Sequence, residues 1–231
     1  MTTSEEVLLN GEMIVTGRLI DASNATLLAE CSFDSEKVKC IYKPIAGERP
    51  LWDFPHGNLA SREVASYYLS EVGKFNLVPK TVLREGPFGL GAVQEWIEVS
   101  EDVDVIEIAQ SDVVKIRSLA LFDVVINNAD RKFGHILITP EGDVFGCDHG
   151  VSLHEENKLR TVIWQFTELD LNPSEIEQIS GLINAIDRDY LSKLLSKNEV
   201  DSIFSRLSTL LQTGRFPAPN PNWPAVPWPP Y

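Results

Sequence analysis

Short apolar and polar alternations open the chain. Met13-Ile14-Val15, Thr26-Leu27-Leu28-Ala29 and Val38-Lys39-Cys40-Ile41-Tyr42-Lys43 are separated by polar turns around Asn24 and Asp34-Ser35-Glu36, a pattern that predicts an antiparallel meander. After a loop at 52–58 bearing Pro55 and Gly57 the period changes. Ala60, Val64, Tyr68 and Val72 recur at helical spacing, and Gly73 supplies a stop. Two more apolar runs, Thr81-Val82-Leu83 and Ala92-Val93-Gln94-Glu95-Trp96-Ile97, bracket the turn Gly86-Pro87-Phe88-Gly89 and complete a five-stranded unit with one helix.

Beyond it the periodicity is mainly helical. Residues 111–126 predict a helix with Ser111 as N-cap and Val113, Ile116, Ala120, Leu121 and Val124 facing inward; Asn127-Asn128-Ala129-Asp130 ends it. Ile136-Leu137-Ile138 and Val144-Phe145 flank Pro140-Glu141-Gly142-Asp143, a hairpin that delivers Asp148 to the end of its second strand. Ser196 and Glu199 have capping-box spacing ahead of the stripe Val200, Ile203, Phe204, Leu207, Leu210 and Leu211, which stops at Gly214. From Arg215 the chain holds prolines at 217, 219, 221, 224, 227, 229 and 230, which favours polyproline II over helix or central strand. Because Trp223 and Trp228 would lose favourable burial in water, the tail is expected to fold back as a strap with both indoles buried. The organisation read from the pattern is α+β in three parts: sheet and helix over 1–98, a mainly helical part over 99–214, and the strap over 215–231.

Charge and cysteine content narrow the function classes. With 20 basic against 34 acidic residues and a formal charge of -14, a general nucleic-acid binder is excluded and membrane contact is at most peripheral. Any phosphate ligand must be held by local groups. Cys31, Cys40 and Cys147 form neither a disulfide framework nor a C-x-x-C pair. The polar, acidic start has no signal-peptide pattern and no run reaches membrane-spanning length, so a cytoplasmic protein is expected.

The stretch from Asp123 through Asn127-Asn128-Ala129-Asp130-Arg131 to His135, followed by Gly146-Cys147-Asp148-His149-Gly150, concentrates the polar chemistry. Phosphoryl transfer to a hydroxyl needs a carboxylate that orients the attacking group and takes its proton, and a second carboxylate on the metal that bridges the phosphates. Asp130 suits the first role, and Asp148, eighteen positions on, the second. Lys43 closes a strand and Glu63 lies on the next helix, the order in which a kinase places its phosphate-contacting lysine and the glutamate that holds it. Arg62 competes with Glu63 for the inward position.

Asn127-Asn128-Ala129-Asp130-Arg131, a hairpin and then Asp148-His149-Gly150 resemble the catalytic and metal-binding loops of phosphatidylinositol 3-/4-kinases, type II phosphatidylinositol 4-kinases above all. HipA-type protein kinases share the outline. The match is clearest from Lys43 to Arg160; Lys43-Pro44, the segment Glu48 to Pro55 and the proline-tryptophan tail are similar to an actinobacterial branch of kinase-like proteins. The resemblance implies a two-lobed protein-kinase-like fold with ATP and Mg²⁺ or Mn²⁺ between an antiparallel sheet lobe and a helical lobe. It puts Glu95, Trp96 and Ile97 at the adenine-contacting hinge, and Lys158 and Arg160 on the acceptor side, where they would hold a phosphorylated headgroup.

Two features depart from the family pattern. No glycine-rich phosphate loop is present; the equivalent turn carries Ser23, Asn24 and Thr26, which either present donors to phosphate oxygens or form a plain β-turn. His135, five positions after Asp130, stands where the family has a metal-binding Asn. Imidazole suits Mn²⁺ better than Mg²⁺, so either His135 ligates metal with altered preference or Asn128 completes the shell. The expected function is an ATP-dependent kinase acting on a lipid headgroup, protein or small-molecule hydroxyl. The rivals are a nucleotide-binding pseudokinase scaffold and an interaction module recruiting partners through the proline-rich tail.

Overall fold

The computed structural model describes residues 2–19 and 24–231. Ser23, one of the residues expected to face phosphate, lies outside the described residues. Strands β1 (Glu12–Arg18), β2 (Leu27–Phe33), β3 (Glu36–Pro44), β4 (Thr81–Gly86) and β5 (Gly89–Glu95) form one antiparallel sheet in the order β1-β2-β3-β5-β4. Both faces of the sheet are covered. Helix α1 (Ser4–Asn10) buries Val7 and Leu8 against Cys31, Cys40, Tyr42, Val82 and Val93. The opposite face carries α2 (Leu59–Val72), whose Ala60 and Val64 pack on Ala92. Adjacent residues of a strand point to opposite faces, and Lys43 pairs with Ala92 across the ladder, so Lys43 points toward α2.

The sequence pattern does not reveal α1. Its only signal is Thr3 and Glu6, which close a capping box around a seven-residue helix too short for a periodic stripe. The N-terminus of α2 is held by the Asn58 side chain on the Ser61 N–H and by the Glu48 carboxylate on the N–H groups of Leu59 and Ala60, all within 2.9 Å. Buried residues occur all around α2, Arg62 and Glu63 included, because it is wedged between the sheet and the helices that follow.

Those helices are α3 (Val105–Ala109), α4 (Val114–Ile126), α5 (Pro173–Ala185), α6 (Arg188–Leu191) and α7 (Lys197–Thr213), with the hairpin β6 (Ile136–Ile138) and β7 (Val144–Gly146) between α4 and α5. Ile116, Leu119, Phe122 and Ile126 of α4 share one core with Ile179 and Leu182 of α5 and Ile203, Leu207 and Leu210 of α7. The capping box at Ser196 and Glu199 and the left-handed Gly214 bound α7 as expected. The start of α4 differs from expectation. Ser111 does not cap it: the hydroxyl donates to Ile108 O at 2.6 Å and so closes α3, while α4 begins only at Val114 and leaves Val113 46% exposed. Among the described residues no helix is long and apolar enough to cross a membrane.

Residues 215–231 run back across the helical half. Phe216 is buried in its core, Ala225 O accepts from Thr161 N at 3.0 Å and from Trp164 Nε1 at 2.8 Å, and Pro230 O accepts from Phe133 N at 2.9 Å. Trp223 is half-buried against Lys158 and Arg160. The expected burial of Trp228 is wrong: it is 88% exposed. At that end the tail docks through the buried Pro227, the Pro230 carbonyl and the Tyr231 ring on Phe133, which leaves the Trp228 side chain facing outward.

Candidate active site

Three of the residues singled out by the sequence meet in one ion cluster. Lys43 Nζ donates to Glu63 Oε1 at 2.5 Å and to Asp148 Oδ1 at 2.9 Å. The Glu63 side chain is 2% exposed, Lys43 19% and Asp148 51%, so the cluster is anchored in the interior and opens to solvent at Asp148. Burial alone would pull the Lys43 pKa down, but Asp148 and Glu63 overturn that and hold it above the usual lysine value. The same ammonium keeps Asp148 far below the usual carboxylate range. Asp148 also has a φ of +58°, a left-handed conformation that Asp tolerates better than most residues and that concentrates at functional turns. The second Glu63 oxygen accepts from His149 N at 3.0 Å, tying α2 to the Asp148-His149-Gly150 turn.

His135 and Asp130 border this cluster. His135 Nε2 lies 3.4 Å from Asp148 Oδ2, and His135 Nδ1 lies 2.9 Å from the carbonyl oxygen of Asp130. A carbonyl only accepts, so Nδ1 carries the proton and Nε2 is left with its lone pair toward a carboxylate. Burial lowers the His135 pKa and favours that neutral ring. Burial raises the Asp130 carboxyl pKa, against the pull of Lys132 at 3.4 Å.

Beneath these groups lies a second ion pair. Arg131 and Asp123 are both 0% exposed and bonded at 2.9 Å. Arg131 also donates to the carbonyls of His135 and Cys147, each at 3.0 Å, and meets His149 Nε2 at 2.7 Å, so one guanidinium fixes both the 127–135 loop and the 147–149 turn. Gly146 allows that approach, since a Cβ there would come within 2.9 Å of the guanidinium. Asn128 belongs to the same bracing: its amide donates to Asp123 Oδ1 at 2.9 Å and its oxygen accepts from Asp130 N at 3.0 Å. It therefore does not offer that oxygen to the cluster. Arg131 and Asp123 received no role from the sequence, because their pairing is tertiary and leaves no spacing signature.

The remaining residues are placed apart or committed elsewhere. Thr26 is buried just ahead of β2, whose first residue Leu27 pairs with Tyr42, and Asn24 Oδ1 accepts from Arg49 N at 2.9 Å. At the hinge, Glu95 N donates to Lys80 O and Trp96 N to Lys39 O, at 2.8 and 3.0 Å, so those two amides serve the sheet. Lys158 is buried beside Asp53, with Trp223 at 4.8 Å, and Arg160 Nε donates to Ala129 O at 2.6 Å. Neither side chain joins the Asp148 cluster. Arg62 and Glu63 both point inward, to different partners: Arg62 pairs with Glu199 of α7 and donates to Ser152 O at 2.8 Å.

Sheet, wedged helix and helical half make this a kinase-like fold. It is similar to the crystal structure of the Helicobacter pylori proinflammatory kinase CtkA, with a TM-score of 0.51 and 12% identity over 90% of this chain and 94% of that one. The chain belongs to the family of Protein Rv2133c of Mycobacterium tuberculosis, to which it is 37% identical over 261 residues covering 96% of this chain and 94% of the relative. No family model matches the sequence.

Proposed function

We propose that the chain is an ATP-dependent phosphotransferase whose nucleotide and metal bind at the Lys43, Glu63 and Asp148 cluster. The observation that carries this reading is the convergence of a strand lysine, a helix glutamate and a turn aspartate within 2.9 Å, from three separated segments and in the order phosphoryl transfer uses them. Glu63 orients the Lys43 ammonium, which would contact the α/β-phosphates. Asp130, beside the cluster, would orient the acceptor hydroxyl and take its proton; its raised pKa makes it a better base than an exposed aspartate.

The residues fit a divalent cation. The exposed, ionised Asp148 oxygen and the unprotonated His135 Nε2 face each other at 3.4 Å, two acceptors that a cation between them would reconcile. Asp148 and His135 would hold that ion, and the imidazole favours Mn²⁺ over Mg²⁺. When bound, the metal supplies neutralisation of charge on the transferring phosphate. Thr26 and Asn24 flank the nucleotide's phosphate side in this reading, and Ile97 is the one hinge position whose amide is not used by the sheet bonds described above. The likeness of the 127–131 and 148–150 segments to phosphatidylinositol 3-/4-kinases makes a lipid-headgroup hydroxyl an acceptor to test, beside proteins and soluble small molecules, in the cytoplasm.

The test is transfer of radiolabelled γ-phosphate by the purified chain with Mg²⁺ or Mn²⁺ against phosphoinositide, protein and small-alcohol acceptors. Metal-dependent transfer, faster with Mn²⁺, supports the reading. Nucleotide binding without transfer to any acceptor or to water would make the chain a pseudokinase instead.

A further inference from the structure

One row of side chains crosses the sheet beside the ion cluster. Leu28 of β2 pairs with Ile41 of β3, Ile41 with Gln94 of β5, and Gln94 with Thr81 of β4. Paired residues of antiparallel strands share a face, and Ile41 is the second residue before Lys43. The row therefore lies on the Lys43 face, about 7 Å along the strands. Helix α2 covers the neighbouring row, with Ala60 and Val64 on Ala92, which pairs with Lys43. Leu28 and Ile41 join none of the hydrophobic clusters of the described residues, so their apolar surface is open to a ligand.

Gln94 is the polar member of the row with an atom to spare. Its side-chain nitrogen donates to Thr81 Oγ1 at 2.9 Å, and the Thr81 hydroxyl donates to Pro79 O at 2.7 Å. That hydroxyl has spent its one proton, so it can only receive an N–H, and the Gln94 amide is held one way round. Gln94 Oε1 receives no hydrogen bond from the described residues, yet it is not sealed from solvent. The backbone N–H groups of the next two residues, Glu95 and Trp96, are spent on Lys80 O and Lys39 O. At this end of β5 the donors are used, and the Gln94 oxygen is an acceptor left open.

From these observations we infer that Gln94 selects the base of the bound nucleotide. A purine would lie against Leu28 and Ile41, with its 6-amino group donating to Gln94 Oε1. The inference rests on the reading that the nucleotide's phosphates bind at Lys43. Adenine carries a donor at position 6, whereas guanine and hypoxanthine carry a carbonyl oxygen there, which would meet Oε1 as acceptor against acceptor and leave both unpaired.

Isothermal titration of the full chain with Mn²⁺ and ATP, ITP or purine riboside triphosphate tests it; the last differs from ATP only in lacking the 6-amino group. ATP should bind at least about tenfold more tightly than purine riboside triphosphate, and ITP more weakly still. Gln94→Met should bring ATP and purine riboside triphosphate to within about twofold of each other. Thr81→Val removes the acceptor that holds the amide, which can then turn its N–H₂ to the base, so the affinity for ITP relative to ATP should rise about tenfold. Mere packing of Gln94 would not produce that change, and each comparison is made between ligands on one variant. Equal binding of ATP and purine riboside triphosphate by the parent, an unchanged preference in Gln94→Met or an unchanged ITP-to-ATP ratio in Thr81→Val would overturn this inference alone. No binding of any triphosphate would overturn the phosphotransferase reading with it.

Discussion

Two ion clusters share the same loops and differ in one respect, access to water. The inner one, Asp123 with Arg131, is fully buried, and its charges are bonded to loop backbone, Asn128 and Thr161 as well as to each other. The outer one, Lys43 with Glu63 and Asp148, leaves half of the Asp148 side chain in solvent and gives it a lysine at 2.9 Å as its direct cation. A charge that must exchange ligands cannot be saturated, and one that must hold backbone cannot be left open. Scaffold and proposed site are thus told apart by satisfaction, although each pairs an aspartate with a cation.

That contrast is most sharply broken from the inside. Asp123→Asn leaves Arg131 buried without its counter-charge and should lower stability by about 3–5 kcal/mol, read as a fall in the urea midpoint. A stability within about 1 kcal/mol of the parent's would mean that the inner pair braces nothing. On the outer side, Asp130→Ala should slow phosphoryl transfer by about 10²-fold or more with nucleotide affinity nearly unchanged, since the carboxylate acts on the acceptor. Equal losses in turnover and affinity would place Asp130 on the nucleotide instead.

Much of this division was legible in the sequence, and the exceptions have physical reasons. Lys43, Glu63, Asp130, His135 and Asp148 stood out through their joint order, a strand lysine, a helix glutamate and two loop carboxylates, and through the resemblance that places His135, while the choice between Arg62 and Glu63 stayed open. The fold class followed from the switch in period. Arg131 and Asp123 were hidden because mutual burial across α4 and its loop has no linear signature. Asn128 looked like a spare oxygen, but its side chain is bonded at both ends, and hydrogen-bond saturation cannot be read from residue type. Trp228 failed for a related reason: apolar size argues that an indole should be buried, not that the tail has a groove for it.

The tail offers a milder test, because it braces the inner cluster from outside. Thr161 donates its N–H to Ala225 O and its hydroxyl to Asp123 Oδ2. Truncation after Pro219, which spares the buried Phe216, removes the bonds at Ala225 and Pro230 and should lower stability by roughly 2–3 kcal/mol at about 1 kcal/mol each. An unchanged melting temperature would favour a tail kept for recruiting partners.

The smallest effect lies at His154, whose carbonyl joins Asn127 and Arg206. Burial, then Lys158, lowers its ring pKa below the ordinary 6.5. The unfolded chain therefore binds the extra proton first as pH falls, so the contribution to stability is complete above about 6.5 and is lost as pH drops through the lower folded value. His154→Gln should flatten that acid limb of the urea midpoint against pH; an identical slope in parent and variant would contradict it.

The central claim, that the open cluster is where nucleotide and metal bind, is tested most directly by the melting shift of wild type and Asp148→Asn with ATP and Mn²⁺. At ligand concentrations about a hundredfold above the dissociation constant, binding should stabilise the wild type by about 2.7 kcal/mol. The account predicts that shift in the wild type and its loss in Asp148→Asn, whose melting without ligand stays close to the parent's because Lys43 keeps Glu63. A shift of the same size in Asp148→Asn, or none in the wild type, would contradict it.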